Sequence, residues 1–315
     1  MKSDVKTILE TMKTSISISF SISDNYSQHL AVVMTSVLVN NPDSQFVFHV
    51  MHRNVSIENQ VRIGLISDKY RNCKIVFHYV DDSVFANAPL PSPHISVESY
   101  FRLFLPKILA DESRTLYLDV DVLCRSGIRE LWNMNLDGFA CAAVAETTPD
   151  CSFLRTALSI GKGEVPYFNA GVMLFNLDFI RQNLLEDEPF VVLKKWNEKI
   201  GYADQDVLNL AYYGKVKFIS QRYNFMGKWR NTEVQMPIVI RHFASFSQKP
   251  WTCKLMRFTW IPYARYLASS PYYGNLVRFV LIHLRSLLYW KYNKNGISCL
   301  DICGVRIWRG KKDRV

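Results

Sequence analysis

The sequence predicts an α/β fold, built on a mainly parallel central sheet with helices on both faces. Three observations carry this. Short β-rich runs alternate with amphipathic helical segments over the first 124 residues, an order that returns the chain to begin each next parallel strand. At 315 residues the chain is long enough for one large core, with or without an appendage. Its composition is 49% hydrophobic and 13% aromatic, without repeats or low-complexity tracts, which excludes a disordered or repeat protein.

The elements follow in order. "SISISFSIS" (15–23) alternates and predicts the first strand. In "DNYSQHLAVVMTSVLVNN" the apolar residues at 30, 33, 34, 37 and 38 have helical spacing, with Asp24 or Asn25 available as the cap. "QFVFHVM" (45–51) predicts a strand, "SIENQVRIGLISDKY" (56–70) a helix and "CKIVFHYV" (73–80) a third strand. A proline-punctuated loop leads into the helical "VESYFRLFLPKIL" (97–109), and "RTLYLDVDVLC" (114–124) predicts a fourth strand. The pattern then becomes mixed. Residues 139–146 and 170–177 predict strands, 184–200 a helix, and "ADQDVLNLAYYG" (203–214) the start of another.

The formal net charge is +10, and residues 272–315 carry nine Lys/Arg against two Asp/Glu, so this tail supplies +7 of it. A basic tail points to an anionic partner: a membrane surface, a nucleic acid or an acidic glycan. Tyr289, Trp290, Tyr292 and Trp308 among those cations favour a peripheral membrane anchor over nucleic acid, with core packing as the plain alternative. The greasiest stretch (276–290) is interrupted by Arg278, His283 and Arg285 and is too short to span a bilayer. The first 20 residues lack the apolar core of a signal peptide. Seven scattered cysteines without a C-x-x-C predict reduced thiols; Cys299 and Cys303 have helical spacing but lack a second pair for zinc.

Function concentrates in "YLDVDVLC" (117–124). In a strand, Asp119 and Asp121 share one face with Val120 on the other, and two like charges so close call for a cation between them. In open α/β sheets ligands bind beyond the carboxyl ends of the strands, and these acids lie at such an end. Glycine-rich phosphate loops of the G-x-G-x-x-G or G-x-x-x-x-G-K-[ST] type are absent. A divalent cation bridging two carboxylates and a diphosphate can replace one.

Seven motifs in fixed order complete this reading: "SDNY" (23–26), "HISVESYFRL" (94–103), "YLDVDVL" (117–123), "YFNAGVMLFNL" (167–177), "ADQDVLN" (203–209), "RYNFM" (222–226) and "RHFASFSQKPW" (241–251). Over Ser17 to Trp251 the chain resembles the family 8 glycosyltransferases, which include bacterial lipopolysaccharide galactosyl- and glucosyltransferases. The resemblance implies a GT-A-like nucleotide-sugar-binding fold over 15–265, and composition marks 266–315 as a basic, aromatic, helical tail. It also implies a retaining enzyme that moves galactose or glucose from a UDP-sugar to a lipopolysaccharide or lipooligosaccharide core at the inner face of the cytoplasmic membrane.

The same resemblance assigns roles. Asp119, Asp121 and His242 would hold Mn²⁺, with Mg²⁺ as the second choice, since an imidazole ligand suits Mn²⁺ better. Lys249 would meet the phosphates. Ser23, Asp24, Asn25 and Tyr26 would take the uridine, Tyr26 by stacking. Arg102, Val120, Glu146, Asn169, Ala170, Gly171, Asp204 and Gln205 would surround the donor, with Gly171 letting the backbone approach the sugar. Gln205 and Asp204 stand at the catalytic position; an amide is a poor nucleophile, so front-face attack by the acceptor hydroxyl is implied.

Two other classes compete. A haloacid dehalogenase-type phosphatase also carries strand-D-x-D, but near its N-terminus and with the first Asp as nucleophile. A non-catalytic sugar-binding protein could keep the fold, but here every presumed metal ligand is present.

Overall fold

In a computed structural model the described residues are 15–311, apart from 91–94, 147–150, 162–164, 228–236, 246–247, 253–259, 295–296 and 303–304. Seven strands form the main sheet: β1 (Ile16–Ser21), β2 (Phe46–His52), β3 (Cys73–Tyr79), β4 (Arg114–Leu118), β6 (Cys141–Ala145), β7 (Phe168–Asn176) and β8 (Val216–Ile219), in the order β3-β2-β1-β4-β7-β6-β8. The pairs β1–β2, β2–β3, β1–β4 and β6–β8 are parallel, whereas β7 runs antiparallel to both neighbours. Six strands therefore end, and β7 begins, at one edge. That reversal brings the start of β7 beside the end of β4, and the Asp119 N–H donates to the Gly171 oxygen at 2.8 Å.

Alternation in β1 sends Ile16, Ile18 and Phe20 into one core, while Ser17 and Ser19 turn to the opposite face and bond Thr115 on β4 at 3.1 Å. The first core packs under α1 (Ser27–Asn40), α2 (Ile57–Lys69) and a later helix, α5 (Trp260–Ser269). A second core covers the opposite face, beneath α3 (Glu188–Trp196), α4 (Ala203–Ala211) and shorter helical segments. α1 is buried almost all round at 30–38, because α5 and the short strand β5 (Val122–Cys124) cover the side that amphipathic spacing leaves to solvent.

Several expectations change. The run 114–124 is two strands: the chain leaves the sheet after Leu118, turns through Val120 and Asp121, and β5 pairs antiparallel with β9 (Ile240–His242). The acids thus straddle a strand end, a turn having removed the alternation that a continuous strand would impose. Residues Val97–Phe104 form a 3₁₀ helix, followed by one α turn (Leu105–Ile108). With three residues per turn, Ser96, Ser99 and Arg102 fall on one edge, all facing the cleft described below.

Helix α1 has no side-chain cap; Asp24 instead accepts from the Ser56 N–H and the Asn59 amide, both at 2.8 Å, bracing the start of α2. Among the described residues of the tail, helix extends only as far as α6 (Leu276–Leu288); β10 (Tyr289–Lys294), β11 (Ile297–Ile302) and β12 (Val305–Lys311) then form an antiparallel meander, with Cys299 on a strand. Residues with β-preference dominate those strands, overriding the helical i, i+4 spacing of the cysteines. The expected boundary at 265/266 falls within α5, which packs on α1.

Candidate active site

A cleft of about 730 Å³ opens at the strand-end edge. Ser23, Asn25, Tyr26, Arg102, Asp119, Val120, Asp121, Glu146, Asn169, Ala170, Gly171, Asp204, Gln205, His242 and Lys249 all line it. Of the expected donor-site residues only Asp24 does not, its carboxylate being turned to α2.

The two acids are held differently. Asp119 gives Oδ1 to the Arg102 guanidinium at 2.8 Å and the Tyr117 hydroxyl at 3.1 Å. Asp121 gives Oδ2 to the Lys249 ammonium at 3.1 Å. Each acid thus spends one oxygen on a fixed cation and turns the other towards His242, whose Nε2 lies 4.0 Å from Asp119 Oδ2 and 3.2 Å from Asp121 Oδ1. Burial works against the Asp121 charge, but His242 and Lys249 outweigh it and hold the carboxyl well below the ordinary range.

His242 arrives through strand register: it pairs with Val122, and the Phe243 N–H donates to the Asp121 oxygen at 2.9 Å. Its Nδ1 lies 2.8 Å from Asn224 Oδ1, while the buried Nε2 has no hydrogen-bond partner. Three ligand atoms from Asp119, Asp121 and His242 lie within 4.8 Å of one another. Two carboxylate charges at that separation repel by roughly 3 kcal/mol at an effective dielectric near 20. The convergence of Nε2 on two carboxylate oxygens fits a divalent cation. Gly171 completes the cradle: an added Cβ would stand 2.3 Å from His242 Cε1 and 2.8 Å from Asp119 Oδ2. The close approach that requires glycine is therefore to the metal cluster.

Arg102 is a buried brace. Its guanidinium also meets Asp204 at 3.0 Å, the Ser99 oxygen at 3.0 Å and the Ala170 oxygen at 2.5 Å, and it lies 4.1 Å from the Tyr117 ring centroid. Burial opposes its charge, but Asp119 and Asp204 overcome that and hold it protonated. Burial likewise pushes the Asp204 carboxyl up to about 6, although Arg102 pulls the other way. Gln205 gives its Oε1 to the Ala170 N–H at 3.0 Å, and its Nε2 lies 3.4 Å from the Tyr167 hydroxyl. Glu146, one residue past β6, accepts from the Asn169 amide at 3.0 Å.

Sequence reasoning missed the residues that brace the site. Asp206, not Asp204, secures the start of α4, accepting from the Gly201 and Tyr202 N–H groups at 2.8 Å and the Tyr167 hydroxyl at 2.7 Å. This fixes Ala203 in the left-handed region at φ 49°, where a non-glycine residue is strained. Trp251 stacks on His29 with centroids 3.7 Å apart, docking the segment that carries Lys249. Asp206, Tyr167, Asn224 and Trp251 all stand inside the seven motifs, which is the signal that could have found them.

The family model for glycosyl transferase family 8 matches residues 17–254. The chain belongs to that family. A Haemophilus influenzae protein is 34% identical to this family 8 chain over 235 residues, 72% of this chain and 71% of its own. The lipopolysaccharide 1,3-galactosyltransferase of Salmonella typhimurium is 29% identical over 66% of this chain and 62% of its own. The Escherichia coli lipopolysaccharide 1,2-glucosyltransferase is 27% identical over 84% and 78%. Among solved structures, galactosyltransferase LgtC in complex with donor and acceptor sugar analogs matches with a TM-score of 0.70 and 27% identity, covering 81% of this chain and 96% of that one. The family 8 chain has the GT-A fold. These likenesses give the phosphatase reading of the acid pair no support.

Proposed function

We propose that this family 8 transferase moves a hexose, galactose or glucose, from a UDP-sugar to a lipopolysaccharide or lipooligosaccharide core acceptor with retention of configuration, using Mn²⁺ or, less effectively, Mg²⁺. The observation that carries the reading is the convergence of Asp119 Oδ2, Asp121 Oδ1 and His242 Nε2, three possible ligand atoms within 4.8 Å of one another. When bound, the cation neutralises the diphosphate and stabilises the leaving nucleotide. Lys249, at the rim of the same cluster, adds a second charge for the phosphates. Asn25 and Tyr26 line the end of the cleft beyond β1, where they suit a uracil ring by hydrogen bonding and stacking.

At the reacting carbon the residues present favour front-face attack. Asp204 is paired with Arg102, Asp206 is saturated by Tyr167 and two backbone N–H groups, and the Gln205 oxygen is taken by the Ala170 N–H. None of the three offers a loose carboxylate for a glycosyl-enzyme. The lipopolysaccharide acceptor is supported by the relatives' activities.

Location at the inner face of the cytoplasmic membrane is supported by the basic tail and the apolar outer side of α6. No helix among the described residues is long and apolar enough to cross a membrane. The deciding experiment incubates the protein with UDP-galactose, UDP-glucose and their N-acetyl counterparts plus Mn²⁺ and measures UDP release. One hexose should be strongly preferred and EDTA should abolish release; metal-independent release, or none from any donor, overturns the reading.

A further inference from the structure

The amide of Asn224 lies outside the cleft lining, is 1% exposed, and sits between the metal cluster and the sugar side of the cleft. Backbone bonds hold it there. The Phe225 N–H donates to the Ile240 oxygen at 2.9 Å and the His242 N–H to the Phe225 oxygen at 3.0 Å, so residue 224 is laced to β9 beside His242.

Four hydrogen bonds link Glu146 and Gly171 to His242 through Asn169 and this amide. Asn169 Nδ2 donates to Glu146 Oε2 at 3.0 Å. Asn169 Oδ1 accepts from the Gly171 N–H at 3.0 Å and from Asn224 Nδ2 at 2.9 Å. Asn224 Oδ1 lies 2.8 Å from His242 Nδ1. Amide orientation is normally a matter of assignment, but both fixed ends decide it here. A backbone N–H can only donate and a carboxylate can only accept, so Asn169 must turn its oxygen to Gly171 and its nitrogen to Glu146. Asn224 must then turn its nitrogen to Asn169 and its oxygen to His242. The imidazole must therefore keep a proton on Nδ1, which leaves Nε2, turned to Asp119 and Asp121, as the nitrogen that can give its lone pair to a cation.

We infer that Asn224 is a positioning residue that fixes the His242 tautomer for metal binding and, by its other end, orients Asn169 and Glu146 on the sugar side. This rests on the metal reading proposed above. Partners of this kind raise the basicity of a histidine ligand and fix its ring, and losing them typically weakens metal affinity about 10- to 100-fold.

The test uses the full-length protein. Mn²⁺ affinity is measured without donor by water-proton relaxation, and the metal-free protein labelled with ¹⁵N-histidine is examined by NMR. Asn224→Leu keeps the volume but offers no acceptor, and should weaken Mn²⁺ binding at least about tenfold. Asn224→Asp keeps an oxygen on Nδ1 but has no N–H for Asn169. It should bind Mn²⁺ at least as tightly as wild type while losing UDP-hexose turnover. A purely structural role would weaken Mn²⁺ binding equally in both. In wild type the His242 Nδ1 signal should be that of a protonated nitrogen. An unprotonated Nδ1, wild-type Mn²⁺ affinity in Asn224→Leu, or equal weakening in both variants overturns the proposal. Absence of Mn²⁺ binding in wild type, with Nδ1 protonated, sinks the metal reading instead, and the metal role of Asn224 with it.

Discussion

The cleft and the C-terminal helix depart from ordinary burial in opposite directions. In the cleft, charge is buried: Arg102, Asp121, Asp204 and His242 are all nearly inaccessible, and each is answered by a partner or turned to a metal-type cluster. On α6, grease is exposed: Val277, Leu281, Ile282 and Leu284 face outward, with Tyr273 just before them. An exposed leucine alone means little, but buried charge and contiguous exposed apolar surface both mark places where something else binds. The two regions also touch. His283, on the inner side of α6, has Nε2 2.8 Å from the Pro250 oxygen, next to Lys249, and Phe279 belongs to the first core. So α6 is half core and half surface, and removing residues 276–315 would strip part of that core. Point changes on its outer face make the cleaner experiment.

The comparison breaks first, and hardest, at the buried charges. Asp119→Asn, Asp121→Asn and His242→Ala should each lower turnover at least about 100-fold, the usual cost of losing a key electrostatic group. EDTA should abolish activity, with Mn²⁺ restoring it better than Ca²⁺; steady-state UDP release is the readout. Gly171→Ala comes next. Its methyl collides with the His242 ring and Asp119, so Mn²⁺ affinity and turnover should fall together by tenfold or more, while circular dichroism stays native. Unchanged Mn²⁺ binding would mean that the cluster is not the metal site.

Glu146→Gln keeps shape but replaces an acceptor with a mixed donor and acceptor. It should lower kcat/KM for the preferred hexose about tenfold, equivalent to about 1.4 kcal/mol, with UDP affinity little changed by calorimetry. Galactose is expected to be preferred. Equal loss of UDP affinity and turnover would place Glu146 on the nucleotide.

The exposed apolar side is sharpened by Val277→Glu with Leu281→Glu. Sedimentation with anionic vesicles should drop several-fold and the remainder should fall with added salt, while UDP-sugar hydrolysis stays within about twofold. Undiminished vesicle binding would show that this face does not meet lipid.

The smallest effect concerns pH. Burial holds His29, stacked on Trp251 with Nδ1 2.7 Å from the Tyr263 hydroxyl, down to about 3. The unfolded chain takes up that proton near pH 6.5, so this contribution to stability is present above 6.5 and is lost as pH falls towards 3. His29→Gln should therefore show a shallower fall in Tm between pH 7 and pH 4 than wild type. An identical slope would mean that the ring is protonated inside the fold.

Much of this was legible in the chain itself. Alternation in "SISISF" and "QFVFHV", and helical spacing after each, determined a parallel α/β sheet, because burial of one face per element is a local consequence of period. Residue types in seven ordered motifs determined the family and nearly every cleft residue. Tertiary structure alone decided three things. It turned the acid triplet out of its strand, because Val122 finds His242 across a second, two-stranded sheet. It reversed β7, which puts Gly171 against the metal cluster, since direction within a sheet depends on connections and not on composition. And it divided roles between neighbours: Asp206 anchors the start of α4 while Asp204 pairs with Arg102, and Asp24 braces a different helix from the one it precedes. Side chains of one type, a residue or two apart, look alike in sequence. Which one finds a backbone N–H and which an arginine depends on direction in space, and that is fixed only once distant segments pack.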